Sequence, residues 1–181
     1  MNMKKTTKWI TRTAVMLAIT VLFQSLRMII PTTSTYIIGS LVNLALIVSV
    51  LMIDVKGGLV VAVLAPIIAF FQGHIPQAMP LMILFVAIGN AMIVIAYALL
   101  YRESFTSKIL ALAVGAVTKF LVLYVLVIKL ALLLYPEVGD KVKAVLSINF
   151  SWPQLITASI GGVLALLIVP LLKKGIKPIE A

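Results

Sequence analysis

The chain has no cysteine, which excludes disulfides, thiolate metal sites and cysteine nucleophiles. Its single histidine, His74, cannot build a histidine metal cluster. The five acids, Asp54, Glu103, Glu137, Asp140 and Glu180, all fall in loops or tails. No carboxylate pair therefore stands inside an apolar run to help a metal bind. No glycine-rich loop ends in Gly-Lys-Ser/Thr, so the chain is not expected to hydrolyse ATP. Serines are present, but no His/Asp pair is placed to activate one. Enzyme chemistry is thus poorly provided for, and neither a cofactor nor a metal is implied.

What the chain has is oil. Of its 181 residues, 63% are hydrophobic and 11% charged, with mean hydropathy +1.23. A soluble domain of this size has too little interior to hide so much apolar surface. Lipid must be the solvent, and the expected fold is an all-α integral membrane protein, one domain over 1–181. The apolar runs read as six helices in a compact bundle, at about 9–30, 36–53, 57–71, 79–101, 108–135 and 153–172. The third is short and contains Pro66; such interrupted segments often line binding regions in transporters. Pro136 to Trp152 reads as the longest outer loop, and Thr32 to Thr35 as a polar one. No small-x-small site follows Phe23, where the chain reads Gln24-Ser25-Leu26-Arg27, so the first run is expected to be a retained helix.

The net charge of +10 does not require nucleic acid. Ten of the fifteen basic residues gather at the ends expected to be inner, against Arg27, Lys129, Lys141 and Lys143 toward the outside. The positive-inside rule then puts both termini in the cytoplasm.

Lys119 stands apart, near the middle of the fifth run. Ala111, Gly115 and Lys119 share one helical face, with Thr118 beside them. Small residues favour close helix packing, so this face is expected to point inward. An ammonium at that depth costs roughly 2.5–3.5 kcal/mol on insertion scales unless something receives it. An internal counter-charge, a water-filled hollow or a bound anion would do so. No acid lies at its depth. Asn43, Asn90 and Thr157 fall at similar depths, and Gln24, Arg27, Gln72, His74, Gln77, Trp152 and Gln154 would ring the outer opening. Each has a plainer reading: the asparagines as interhelical hydrogen bonds, Arg27 as a snorkelling cation, Trp152 as an interfacial belt residue. Tyr36, at the outer start of the second helix, joins the candidates. A second close-packing face is expected at Ala158, Gly161, Gly162 and Ala165.

The first helix reads Arg12-Thr13-Ala14-Val15-Met16-Leu17-Ala18-Ile19-Thr20. Its Ala14-x-x-x-Ala18 step, with the basic N-terminus, the short Pro66 helix, the Gly57-Gly58 to Ala65-Pro66 and Pro80 to Gly89-Asn90 stretches and the basic tail, resembles the substrate-binding S component of energy-coupling-factor (ECF) vitamin transporters. The resemblance implies a prokaryotic plasma-membrane subunit that captures a vitamin from outside. It implies docking on a membrane coupling subunit driven by two cytoplasmic ATPases, with Ala14 and Ala18 on the docking face, and toppling of the whole subunit in the membrane. Solute would sit between the outer loops and the outer halves of helices four to six. The tryptophans expected of a thiamine-type pocket are missing. A lysine without an acid favours an anionic solute such as pantothenate, folate, biotin or a phosphate-bearing flavin; neutral flavin stays open through Asn90 and aromatic stacking. The rival readings are a structural scaffold resembling rod-shape-determining membrane subunits, a lipid head-group enzyme and a passive channel. In a scaffold, Lys119 would bond backbone carbonyls and the bundle would lack an outer hollow.

Overall fold

The computed structural model describes residues 3–28 and 34–175, Ser34 by its backbone alone. The end of the first expected helix (Ile29 and Ile30), Pro31, the Thr32-Thr33 part of the expected polar loop, Lys177 and Glu180 lie outside the described residues. The elements are α1 (Met3–Ser25) with a 3₁₀ turn (Leu26–Met28), α2 (Ser34–Met52), α3 (Val55–Phe71), α4 (Met82–Leu100), α5 (Phe105–Leu123), a π-helical continuation (Tyr124–Ala131), α6 (Leu132–Leu134), α7 (Asp140–Asn149) and α8 (Trp152–Gly175). Five helical segments are long and apolar enough to cross a membrane, and α3 is the shorter sixth. No strand occurs among the described residues. The all-helical membrane fold expected from composition is the one observed.

α2 is the central helix. Residues 43–50 are all buried, and α2 packs on α1, α3, α4 and α8. A helix apolar around its whole circumference is suited to that position. The close approach of α8 to α2 depends on Gly161. A β-carbon there would lie 2.7 Å from the Ser40 carbonyl oxygen and 2.9 Å from the Leu44 backbone nitrogen. Ala158, Gly162 and Ala165 are buried on the same side of α8, and Ala111 and Gly115 are buried on α5. Small residues here let backbones meet, as membrane bundles without a strong hydrophobic drive between helices require. α1 is peripheral: its buried side chains are Thr13, Thr20 and Gln24, while Ala14 and Ala18 are exposed.

Two chain turns are set by local chemistry. Asp54 caps α3, accepting from Gly57 N at 2.6 Å, and also accepts from Trp9 Nε1 at 2.9 Å. At the same end of the bundle, Glu103 accepts from Lys173 at 2.8 Å and Lys108 at 3.1 Å. These two joints bring the start of α1, the α2–α3 turn, the α4–α5 loop and the end of α8 together, so both ends of the described chain lie on one side. At the other end, α3 stops in a left-handed turn. Gly73 has φ 75°; His74 N bonds the Ala69 carbonyl at 2.9 Å and Gly73 N bonds the Phe70 carbonyl at 3.0 Å. That paired closure needs a residue without a β-carbon penalty at positive φ.

Three expectations are corrected. The fifth run is not one regular α-helix: past Leu123 it continues as a π-helical segment. Ser34 and Thr35 belong to the first turn of α2, not to a polar loop. The stretch from Pro136 to Trp152 is not merely loop, because it folds as α7. Val142, Val145 and Leu146 fall at i, i+3 and i+4, so one face of α7 is apolar and can close over the bundle, with the polar Asn149 a turn further on at i+7; Leu146 is buried in a second core with Met79, Met82, Phe85, Leu123 and Val127.

Candidate solute-binding site

α7 and the turn after α3 cover a cavity of about 590 Å³ at the end away from the termini. Its walls come from the end of α1, from α2, α3, α4, α5 and α7, and from the start of α8. A hollow of this size matches small-molecule sites, which run from about 300 to 1,000 Å³.

Lys119 forms the floor. It is 4% exposed, and its ammonium donates to Asn43 Oδ1 at 2.5 Å and Asn90 Oδ1 at 2.8 Å. Both asparagine carbonyls are turned to the ammonium, so both amide NH2 groups face away. Asn43 Nδ2 donates to Thr157 Oγ1 at 3.4 Å, and Thr157 Oγ1 donates to the Gln154 carbonyl at 3.3 Å. Asn90 Nδ2 donates to the Ala62 carbonyl at a long 3.5 Å. That carbonyl is free because Pro66, four residues on, has no N–H to offer it. The proline in α3 therefore orients Asn90, and Asn90 helps orient the lysine.

Among the described residues, no carboxylate joins this group. The ion pairs among the described residues are Lys108–Glu103, Lys143–Asp140 and Lys173–Glu103, all outside it. Two neutral amides satisfy hydrogen bonds but leave the charge uncancelled. An ammonium has three donors; two are used within the protein, and Lys119 borders the open cavity.

Higher up, Gln24, Arg27, His74, Lys141, Asn149 and Gln154 also line the hollow. Gln24 Nε2 donates to the Ala65 carbonyl at 3.3 Å. Its Oε1 and His74 Nε2 are buried without a partner. Burial, and then the Arg27 charge, hold the His74 pKa below the usual histidine value, against a backbone hydrogen bond at Gln24 that raises it. The imidazole is therefore neutral at pH 7. Thr35 Oγ1 donates to Asn149 Oδ1 at 3.3 Å, tying α2 to α7 across the mouth.

Of the residues expected from the sequence, Asn43, Asn90, Lys119, Gln24, Arg27, His74 and Gln154 converge on this cavity. Thr157 stands behind Asn43 without lining it. Tyr36 is 49% exposed and lies outside it. Gln77 is exposed and donates to the Phe70 carbonyl at 2.7 Å, and Gln72 donates to Ser25 Oγ at 2.9 Å; neither borders the hollow. Trp152 stacks on Phe120 with centroids 5.5 Å apart, 66% exposed and away from it. Lys141, Val142, Val145 and Asn149 were not expected; the signal was the helical spacing in 142–149. The scaffold reading expected backbone carbonyls around Lys119 and no hollow, and neither describes this site.

Six apolar helices around a cation-floored hollow that opens at one end define a multi-pass membrane protein of the solute-transport class. The family described as ECF transporter, substrate-specific component, matches residues 8–173, and the chain belongs to that family. It is therefore a transport subunit and not an enzyme, and it works with other ECF components on a small-molecule substrate. No curated protein and no solved structure is significantly similar to the chain.

Proposed function

We propose that this subunit captures an anionic vitamin or related micronutrient at the outer face of a prokaryotic plasma membrane. The observation that carries the reading is the buried Lys119 ammonium, held by two neutral amides at the floor of an open cavity. A carboxylate or phosphate seated there supplies the missing negative charge and the third acceptor. The asparagines, fixed from behind by Thr157 and by the Ala62 carbonyl, hold the ammonium in place before solute arrives. The loaded subunit then docks on a membrane coupling subunit served by two cytoplasmic ATPases. The exposed Ala14 and Ala18 supply a flat docking face on α1. The inner end, rich in lysine, faces the cytoplasm.

Native mass spectrometry of protein purified from its host, or from vitamin-supplemented medium, tests the reading. A small acidic solute should co-purify. Lys119→Met should weaken its binding ten-fold or more, about 1.4 kcal/mol. Unchanged affinity would remove the lysine from the site.

A further inference from the structure

Three basic side chains border the cavity. Lys119 is at the floor, and Arg27 and Lys141 line the upper part. Among the described residues, no Asp or Glu borders the hollow. The acid nearest in sequence to Lys141, Asp140, is turned to solvent and sits 3.9 Å from Lys143. The floor is at the level of Asn43 and the mouth at the level of Thr35, both on α2. Eight helical residues separate them, about 12 Å at 1.5 Å per residue.

Between floor and mouth the wall presents acceptors. Gln24 is 8% exposed, with its amide N–H committed to Ala65 and its Oε1 unpartnered. The Gln24 backbone raises the His74 pKa, as a carbonyl beside one ring nitrogen does, and with the ring neutral the buried, unpartnered Nε2 is left as a lone-pair acceptor. Buried acceptors without donors are costly, and a solute with N–H or O–H groups at that height would satisfy them.

We propose that the substrate carries two acidic groups on the order of 12 Å apart, one on Lys119 and one between Arg27 and Lys141, joined by a body whose N–H or O–H groups meet Gln24 and His74. This deepens the reading above and rests on it. A solute with one acid would leave the upper cations unanswered. A dianion without donors would leave the two acceptors bare.

The probe is the solute released by denaturing the full-length wild-type chain purified from its host. Exhaustive methyl esterification with accurate mass counts its acidic groups, a phosphate and its two methyls being scored as one group, and two or more are expected. Binding of the re-added solute should fall at least ten-fold in Arg27→Gln and at least three-fold in Lys141→Gln. The monoester lacking the mouth-side acid should bind wild type and the doubly substituted protein about equally. Lys141 is exposed, so its substitution tests the site without threatening the fold. A solute with a single acidic group that still depends on Lys119 would overturn this inference and leave the function standing. Unchanged affinity in both variants would do the same. Absence of any co-purified solute would remove both.

Discussion

At the scale of single residues, the floor of the cavity is a set of donors and acceptors with one orientation. Lys119 turns the two asparagine carbonyls inward, and each amide then needs an acceptor behind it. Asn90→Leu removes one acceptor from the ammonium and leaves the Ala62 carbonyl bare. We expect a loss of about 1–3 kcal/mol, as for other unsatisfied buried polar groups, read as a lower midpoint in thermal unfolding of detergent-solubilised protein. Thr157→Val acts one step further back and should cost less, because Asn43 keeps its bond to the lysine. His74 gives a pH signature. Its folded pKa lies below the ordinary value of 6.5, so the unfolded chain binds the proton more readily. Stability should be level above about pH 6.5 and fall as pH drops through the folded pKa. The difference between wild type and His74→Gln, followed by unfolding from pH 5 to 8, should contain that step; a flat difference would mean that burial does not hold the ring neutral. The polar residues of the floor were legible from sequence, since only their depth in apolar runs was needed. Tyr36, Gln77 and Trp152 were not, because depth says nothing about which way a side chain turns.

At the scale of elements, the site depends on where helices break and where they touch. α3 carries Pro66, whose missing hydrogen bond gives Asn90 its anchor, and it ends at Gly73, whose positive φ swings His74 over the hollow. Gly73→Val should strain that turn and weaken solute binding more than it lowers stability, a separation that isothermal titration beside thermal unfolding would detect. The α2–α8 contact is tighter. Gly161→Leu would drive a side chain into the Ser40 and Leu44 backbone and should cost about 1–3 kcal/mol or more through overpacking. Gly139→Ala, where an added β-carbon meets nothing within 4 Å, should leave the unfolding midpoint nearly unchanged. α7 shows where reading by hydropathy stops. Its ten residues are too short and too polar to register as a span, yet their apolar face roofs the cavity. The spacing was present in the sequence, but a face becomes a roof only when there is a hollow beneath it.

At the scale of the whole molecule, the bundle has a buried centre, a cation-floored hollow at one end and an α1 that contributes little to the core. That peripheral helix leaves Ala14 and Ala18 uncovered, as a docking face requires. Ala14→Trp or Ala18→Trp should abolish uptake in cells while solute binding by the purified subunit persists. Loss of both together would mean misfolding and would deny these alanines a docking role. The amino-acid order by itself determined the membrane class, the six helices, the inward turn of Lys119 and the absence of an acid to meet it, because hydropathy and helical period act over one or two turns. Only the tertiary structure decided that Asn43 and Asn90, from two other helices, converge on that lysine, that Arg27 and Lys141 share its cavity, and that Trp152 packs outside. Those outcomes depend on helix rotation and on contacts 29 and 76 residues apart, which close packing of small residues sets and local periodicity does not encode.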